Sequence, residues 1–83
     1  MAKIEIYLSY YCPYCISAKQ FLDSKGVAYQ EIDVNAKPEE KEIMKQRAKR
    51  HTVPQIFIND QHIGGCDDLH ALNDAGKLDE LLN

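Results

Sequence analysis

Eighty-three residues, 45% hydrophobic and 28% charged, are enough for one small domain with a modest core. A net charge of −3, with ten lysines and arginines scattered among thirteen acids, argues against a nucleic-acid or anionic-membrane partner. No apolar run approaches the length of a membrane span, and Lys3 and Glu5 interrupt the N-terminal apolar pattern; with no signal peptide expected, the cytosol is the expected compartment.

Ile4, Ile6 and Leu8 alternate with Glu5 and Tyr7, the period-2 pattern of a first strand. From Pro13 to Lys25 the pattern turns helical. Cys15, Ala18 and Leu22 share a face, Phe21 flanks it, and Gly26 stands where a helix should stop. Ala28 to Val34 reads as a second strand. Pro38-Glu39-Glu40 opens a charged helix predicted to run to about Arg50 and to bury Ile43, Met44 and Ala48. Gln55 to Ile58 fits a buried strand, Asn59-Asp60-Gln61 a turn, and His62-Ile63 a returning strand that Gly64-Gly65 breaks. Asp67 and Asp68 then open a helix with Leu69 and Leu72 inward, and Leu78, Leu81 and Leu82 close the domain. The order βαβαββα plus a terminal helical turn predicts an α/β fold. Its four-stranded mixed sheet should have the first two strands parallel, the last two antiparallel, and helices on both faces.

Three cysteines in so short a chain need a reason. The odd count and the tight Cys12–Cys15 spacing do not suit a disulfide-stapled secreted scaffold; in a reducing compartment such a pair is redox-active or metal-binding. Zinc needs about four ligands. There is no second C-x-x-C, and Cys66, His51, His62 and His70 are scattered, so no metal site is expected. With Cys12 at the N-cap, Pro13 becomes the first helical residue, a position that favours proline. Cys12 then faces the free N–H groups and positive end of the helix dipole, which stabilise a thiolate. Cys15 lies three residues on, within the first turn, heading inward where apolar surroundings keep it a thiol. One exposed nucleophile and one covered resolving thiol are what a dithiol oxidoreductase needs.

Cys12-Pro13-Tyr14-Cys15 resembles the dithiol active-site sequence of the glutaredoxin family. Thr52-Val53-Pro54 and Gly64-Gly65-Cys66-Asp67-Asp68 are similar to that family's two glutathione-binding segments, in the same order and spacing. The resemblance covers essentially the whole chain and is closest to small bacterial proteins of the glutaredoxin 3 type. It implies a thioredoxin fold with a cis turn at Thr52-Val53-Pro54 facing the cysteines. It also implies reduction of protein disulfides and glutathione mixed disulfides by Cys12 and Cys15, with Pro13, Tyr14 and Pro54 shaping the site. Glutathione would be the co-substrate, held by Tyr14, Thr52, Val53, Pro54, Gly65, Cys66, Asp67 and Asp68, with no tightly bound cofactor. The implied partners are disulfide-containing or glutathionylated proteins and, indirectly through glutathione reductase, NADPH; the working unit would be a monomer.

The residues fit that chemistry. Val53 precedes proline and should be extended, leaving its N–H and C=O free for an extended peptide such as glutathione. The helix opening after Gly65 offers N–H groups to a carboxylate and an adjacent aspartate to an ammonium, the two charges of a γ-glutamyl end. Taken alone, Pro54 could be a mere strand-start proline and Asp67 a mere N-cap. Cys66 reads as structural, donating a backbone N–H. The three histidines and the Lys41, Lys45, Lys49 face read as surface. Tyr10 and Tyr11 either line the substrate groove or simply pack.

One feature departs from the family, which usually carries a lysine two or three residues before the first cysteine. Leu8-Ser9-Tyr10-Tyr11 has no cation, and Arg50, with Arg47 second, is the available substitute. Two rival functions remain, a thioredoxin-like reductant served by thioredoxin reductase and an iron–sulfur carrier using Cys12 and glutathione. The family of thioredoxins usually has Gly-Pro between its cysteines, and cluster carriers usually lack the second cysteine.

Overall fold

A computed structural model describes residues 2–82. Eight elements follow in chain order: β1 (Ile4–Leu8), α1 (Pro13–Ser24), β2 (Gln30–Asp33), α2 (Pro38–Ala48), β3 (Gln55–Ile58), β4 (Gln61–Gly64), α3 (Cys66–Asp74) and α4 (Leu78–Leu82). The sheet runs β2-β1-β3-β4. β1 lies parallel to β2, with Glu5 opposite Gln30, and antiparallel to β3, with Ile6 opposite Ile56. β3 and β4 form an antiparallel hairpin with a register irregularity at Ile56/Phe57. The predicted fold class is therefore the observed one.

Strand alternation divides the core into two layers. Ile4, Ile6, Leu8, Ile56 and Ile58 point to one face, where Cys15, Ala18 and Leu22 of α1, Leu69 of α3 and Leu78 of α4 cover them. Tyr7 and Phe57 point to the other face and meet Val34 together with Met44 and Ala48 of α2. Covering both faces buries every residue of β1, Glu5 included.

Several details differ from the sequence reading, beginning with β2, which spans Gln30–Asp33 and not Ala28 to Val34. α2 stops at Ala48, because Lys49 adopts a left-handed backbone (φ 59°) and returns its N–H to Lys45 O at 2.9 Å. No glycine marks that stop. Ile43 is 42% exposed and not core. Met44 and Ala48, four residues apart, form the buried stripe, and Ile43 lies one residue, about 100° of helical rotation, off it. The β3–β4 turn uses only Asn59 and Asp60, both at positive φ, so Gln61 already belongs to β4.

Candidate active site

α1 begins as the sequence demands. Cys12 is its N-cap in extended conformation, Pro13 is the first helical residue, and the Cys15 and Ile16 N–H groups donate to Cys12 O at 3.1 and 3.2 Å. The two thiols of this turn have different surroundings. Cys12 is partly exposed, and its thiol points at the Val53 carbonyl at 3.8 Å. Cys15 is 1% exposed. Burial pushes its thiol up to about 12, against the opposing pull of the Ser9 N–H, which donates to Cys15 Sγ at 3.4 Å. All three cysteines are free thiols.

The Val53–Pro54 peptide bond is cis, as the family resemblance implied. Thr52, Val53, Pro54, Tyr14 and Arg50 line a cleft of about 200 Å³ together with Gly65, Cys66, Asp67 and Asp68. Every residue assigned to glutathione from the sequence is thus gathered in one place, with Cys12 beside it at Val53. Pro13 does not line the cleft; it starts the helix that carries both thiols.

Within the cleft the two aspartates differ. Gly65 is the N-cap of α3, so Asp67 is not a cap; it sits in the first turn with its side chain exposed. The cap contact belongs to Asp68, whose Oδ2 accepts the Gly65 N–H at 2.9 Å and faces Arg50 Nη1 at 3.0 Å. The Gly65 N–H foremost, then the guanidinium, holds the Asp68 carboxyl below the usual carboxylate range. Gly64 makes room for this arrangement, since it sits at φ 121° and a Cβ there would run into the Asp68 side chain.

The two arginines also part. Arg50 lines the cleft, engaged by Asp68 at the α3 corner. Arg47 does not replace the missing lysine. It faces the opposite layer, gripping both Glu5 oxygens at 3.1 and 3.2 Å, donating to Tyr7 Oη at 2.9 Å and lying 4.0 Å from the Phe57 ring centre. The sheet brings Glu5, Tyr7 and Phe57 to one face, and a buried carboxylate there requires a cation.

Neutral groups stand where the family usually carries its lysine. Ser9 is buried and accepts from Asn35 Nδ2 at 2.6 Å, while Tyr10 Oη donates to Glu31 at 2.7 Å. Gln55 is a cleft residue that sequence reasoning missed. It is 1% exposed and donates through Nε2 to Thr52 O and Oγ1 at 3.1 and 3.2 Å, so its Oε1 accepts from His62 Nε2 at 2.7 Å. Burial, then Arg50, lowers the His62 pKa below that of an ordinary imidazole. Neither His62 nor His70, whose ring packs tilted against Phe21 with centroids 4.6 Å apart, is a free surface residue. The only signal in the sequence was a glutamine two residues before Phe57, hence on the same strand face.

A glutaredoxin family model matches residues 4–63. The chain belongs to the glutaredoxin family. It is 54% identical to a Pseudomonas aeruginosa glutaredoxin over 83 residues, covering all of this chain and 99% of that one. It is 55% identical to glutaredoxin 3 of Escherichia coli over 82 residues, covering 99% of each. Among solved structures, Brucella melitensis glutaredoxin superposes with a TM-score of 0.86 at 52% identity, over 99% of this chain and 89% of that one. A buckwheat glutaredoxin–glutathione complex gives 0.90 at 31% identity, over 98% and 76%. Among the described residues, no helix of this glutaredoxin is long and apolar enough to cross a membrane.

Proposed function

We propose that this glutaredoxin reduces protein disulfides and glutathione mixed disulfides, with Cys12 as nucleophile, Cys15 as resolving thiol and glutathione as co-substrate. The observation that carries the reading is the position of the Cys12 thiol, 3.8 Å from the carbonyl of Val53, which lines one cleft with the start of α3. Cys12 sulfur attacks a substrate disulfide; that S–S bond breaks, a Cys12 mixed disulfide forms, and the other substrate sulfur leaves as a thiolate. Cys15 then displaces the substrate and closes a Cys12–Cys15 disulfide, or a glutathione thiolate attacks a glutathione bound at Cys12. Two glutathiones reduce the closed pair, and glutathione reductase returns them at the expense of NADPH. Such cycling suits the cytoplasm, where glutathione near −220 mV or below matches glutaredoxin potentials of roughly −200 to −230 mV.

The cleft suits glutathione group by group. Val53 offers its peptide edge to the cysteinyl unit. The first turn of α3 has N–H groups without helical acceptors, and these suit the γ-glutamyl carboxylate; Arg50 adds positive charge at that corner. Asp67 takes the ammonium. A coupled assay with NADPH, glutathione, glutathione reductase and a small mixed disulfide should give steady turnover by the monomer. Turnover only with thioredoxin reductase in place of glutathione and its reductase would refute the proposal.

A further inference from the structure

Four of the five exposed large apolar side chains, Tyr10, Tyr11, Tyr14 and Ile16, lie within four residues of Cys12. Tyr11, adjacent to Cys12, is 89% exposed. Its backbone is nevertheless fixed from both sides. The Tyr11 N–H donates to Ser9 Oγ at 3.4 Å, Ser9 Oγ is held by Asn35, and the Cys12 N–H returns to Ser9 O at 3.1 Å. Tyr10 is tied to Glu31, with Lys19 Nζ 4.9 Å from its ring centre. Ile16 stands one helical turn beyond Cys12, on the same side. The segment thus presents an aromatic ring to solvent on a rigid support, next to the nucleophile and outside the glutathione cleft.

Given the disulfide exchange proposed above, on which this rests, geometry decides what covers that ring. A mixed disulfide at Cys12 brings a partner cysteine's Cα to about 4.4–6.8 Å from that of Cys12. The partner's next residues follow in steps of about 3.8 Å. A polypeptide must therefore lie across the surface around Cys12, whereas glutathione lies in the cleft, which Tyr11 does not line. We propose that Tyr11, with Ile16 beside it, is a docking surface for polypeptide substrates and selects disulfides flanked by an aromatic or large aliphatic residue. The test uses two cyclic disulfide peptides differing only in Phe or Ser beside the attacked cysteine, together with a glutathione–mercaptoethanol mixed disulfide. The wild type should prefer the Phe peptide by about fivefold in kcat/KM. Tyr11→Ser should erase that preference, Tyr11→Phe should keep it, and turnover of the small mixed disulfide should stay within about twofold in both. Retention of the preference in Tyr11→Ser, or an equal loss on all three substrates, overturns the proposal. Failure of the wild type on the small mixed disulfide would instead refute the disulfide-exchange reading itself.

Discussion

The two adjacent aspartates of α3 should separate cleanly into one that holds the fold and one that holds the ligand. Asp68→Ala removes the acceptor of the Gly65 N–H and the partner of Arg50. Loss of a cap contact costs about 1 kcal/mol, and the Arg50 pair, roughly half exposed on both sides, adds only a few tenths. In a domain of this size that lowers Tm by roughly 4–8 °C. Asp67→Ala removes an exposed carboxylate with no such contact, so its melt should hardly move. Its KM for a glutathione mixed disulfide should rise about fivefold, the loss of one partly solvated ion pair.

The pH dependence gives an independent check. The Asp68 carboxyl is held below its ordinary range, so its stabilising effect is complete above the unfolded-state pKa and disappears as pH falls through the folded-state value. Melts of wild type and Asp68→Asn should differ at pH 7, begin to converge only below about pH 4, and coincide once pH is below the folded-state value. The assays are thermal melts across pH and steady-state kinetics on the same preparations. If Asp67→Ala lowers Tm while leaving KM unchanged, the division of roles is wrong.

Cys12→Ser should abolish all turnover, whereas Cys15→Ser should still reduce glutathione mixed disulfides and fail on intramolecular protein disulfides; coupled assays on both substrates decide. Because burial pushes Cys15 up to about 12, closure by Cys15 should keep rising about tenfold per pH unit through pH 9, where an ordinary thiol levels off, as stopped-flow on a Cys12 mixed disulfide would show. Arg47→Met leaves Glu5 buried without its cation and should destabilise by roughly 3 kcal/mol in urea melts, with KM for glutathione substrates unchanged. Gln55→Leu deprives Thr52 and His62 of their partner and should cost about 1–3 kcal/mol while raising that KM.

The chemistry of α1 was legible because it is local. A proline at the first helical position and two cysteines three residues apart fix which thiol caps the helix and which enters the core, whatever the rest of the chain does. The cleft was legible only through its three motifs together. Arg47 could not be placed from sequence, since its destination depends on the register that brings Glu5, Tyr7 and Phe57 to one face. Gln55, His62 and Thr52 likewise meet only once β3 and β4 pair, and nothing in Gln55-Ile56-Phe57-Ile58 announces a buried amide. The end of α2 was misplaced because Lys49 takes a backbone conformation more often given to glycine.

The segment from Ser9 to Cys12 joins these two kinds of information. A lysine before the nucleophile would bring charge to the site, and here the same stretch brings hydrogen bonds. Ser9 alone receives the Asn35 amide, the Tyr11 N–H and the Cys12 N–H, and gives its own N–H to Cys15 Sγ. One buried, uncharged residue therefore sets the backbone in front of the exposed thiol and supplies a donor to the buried one. A charged side chain there would have to be solvated or paired to be tolerated at that depth. Outside that buried residue, Tyr11 is the most exposed of the large apolar side chains around Cys12.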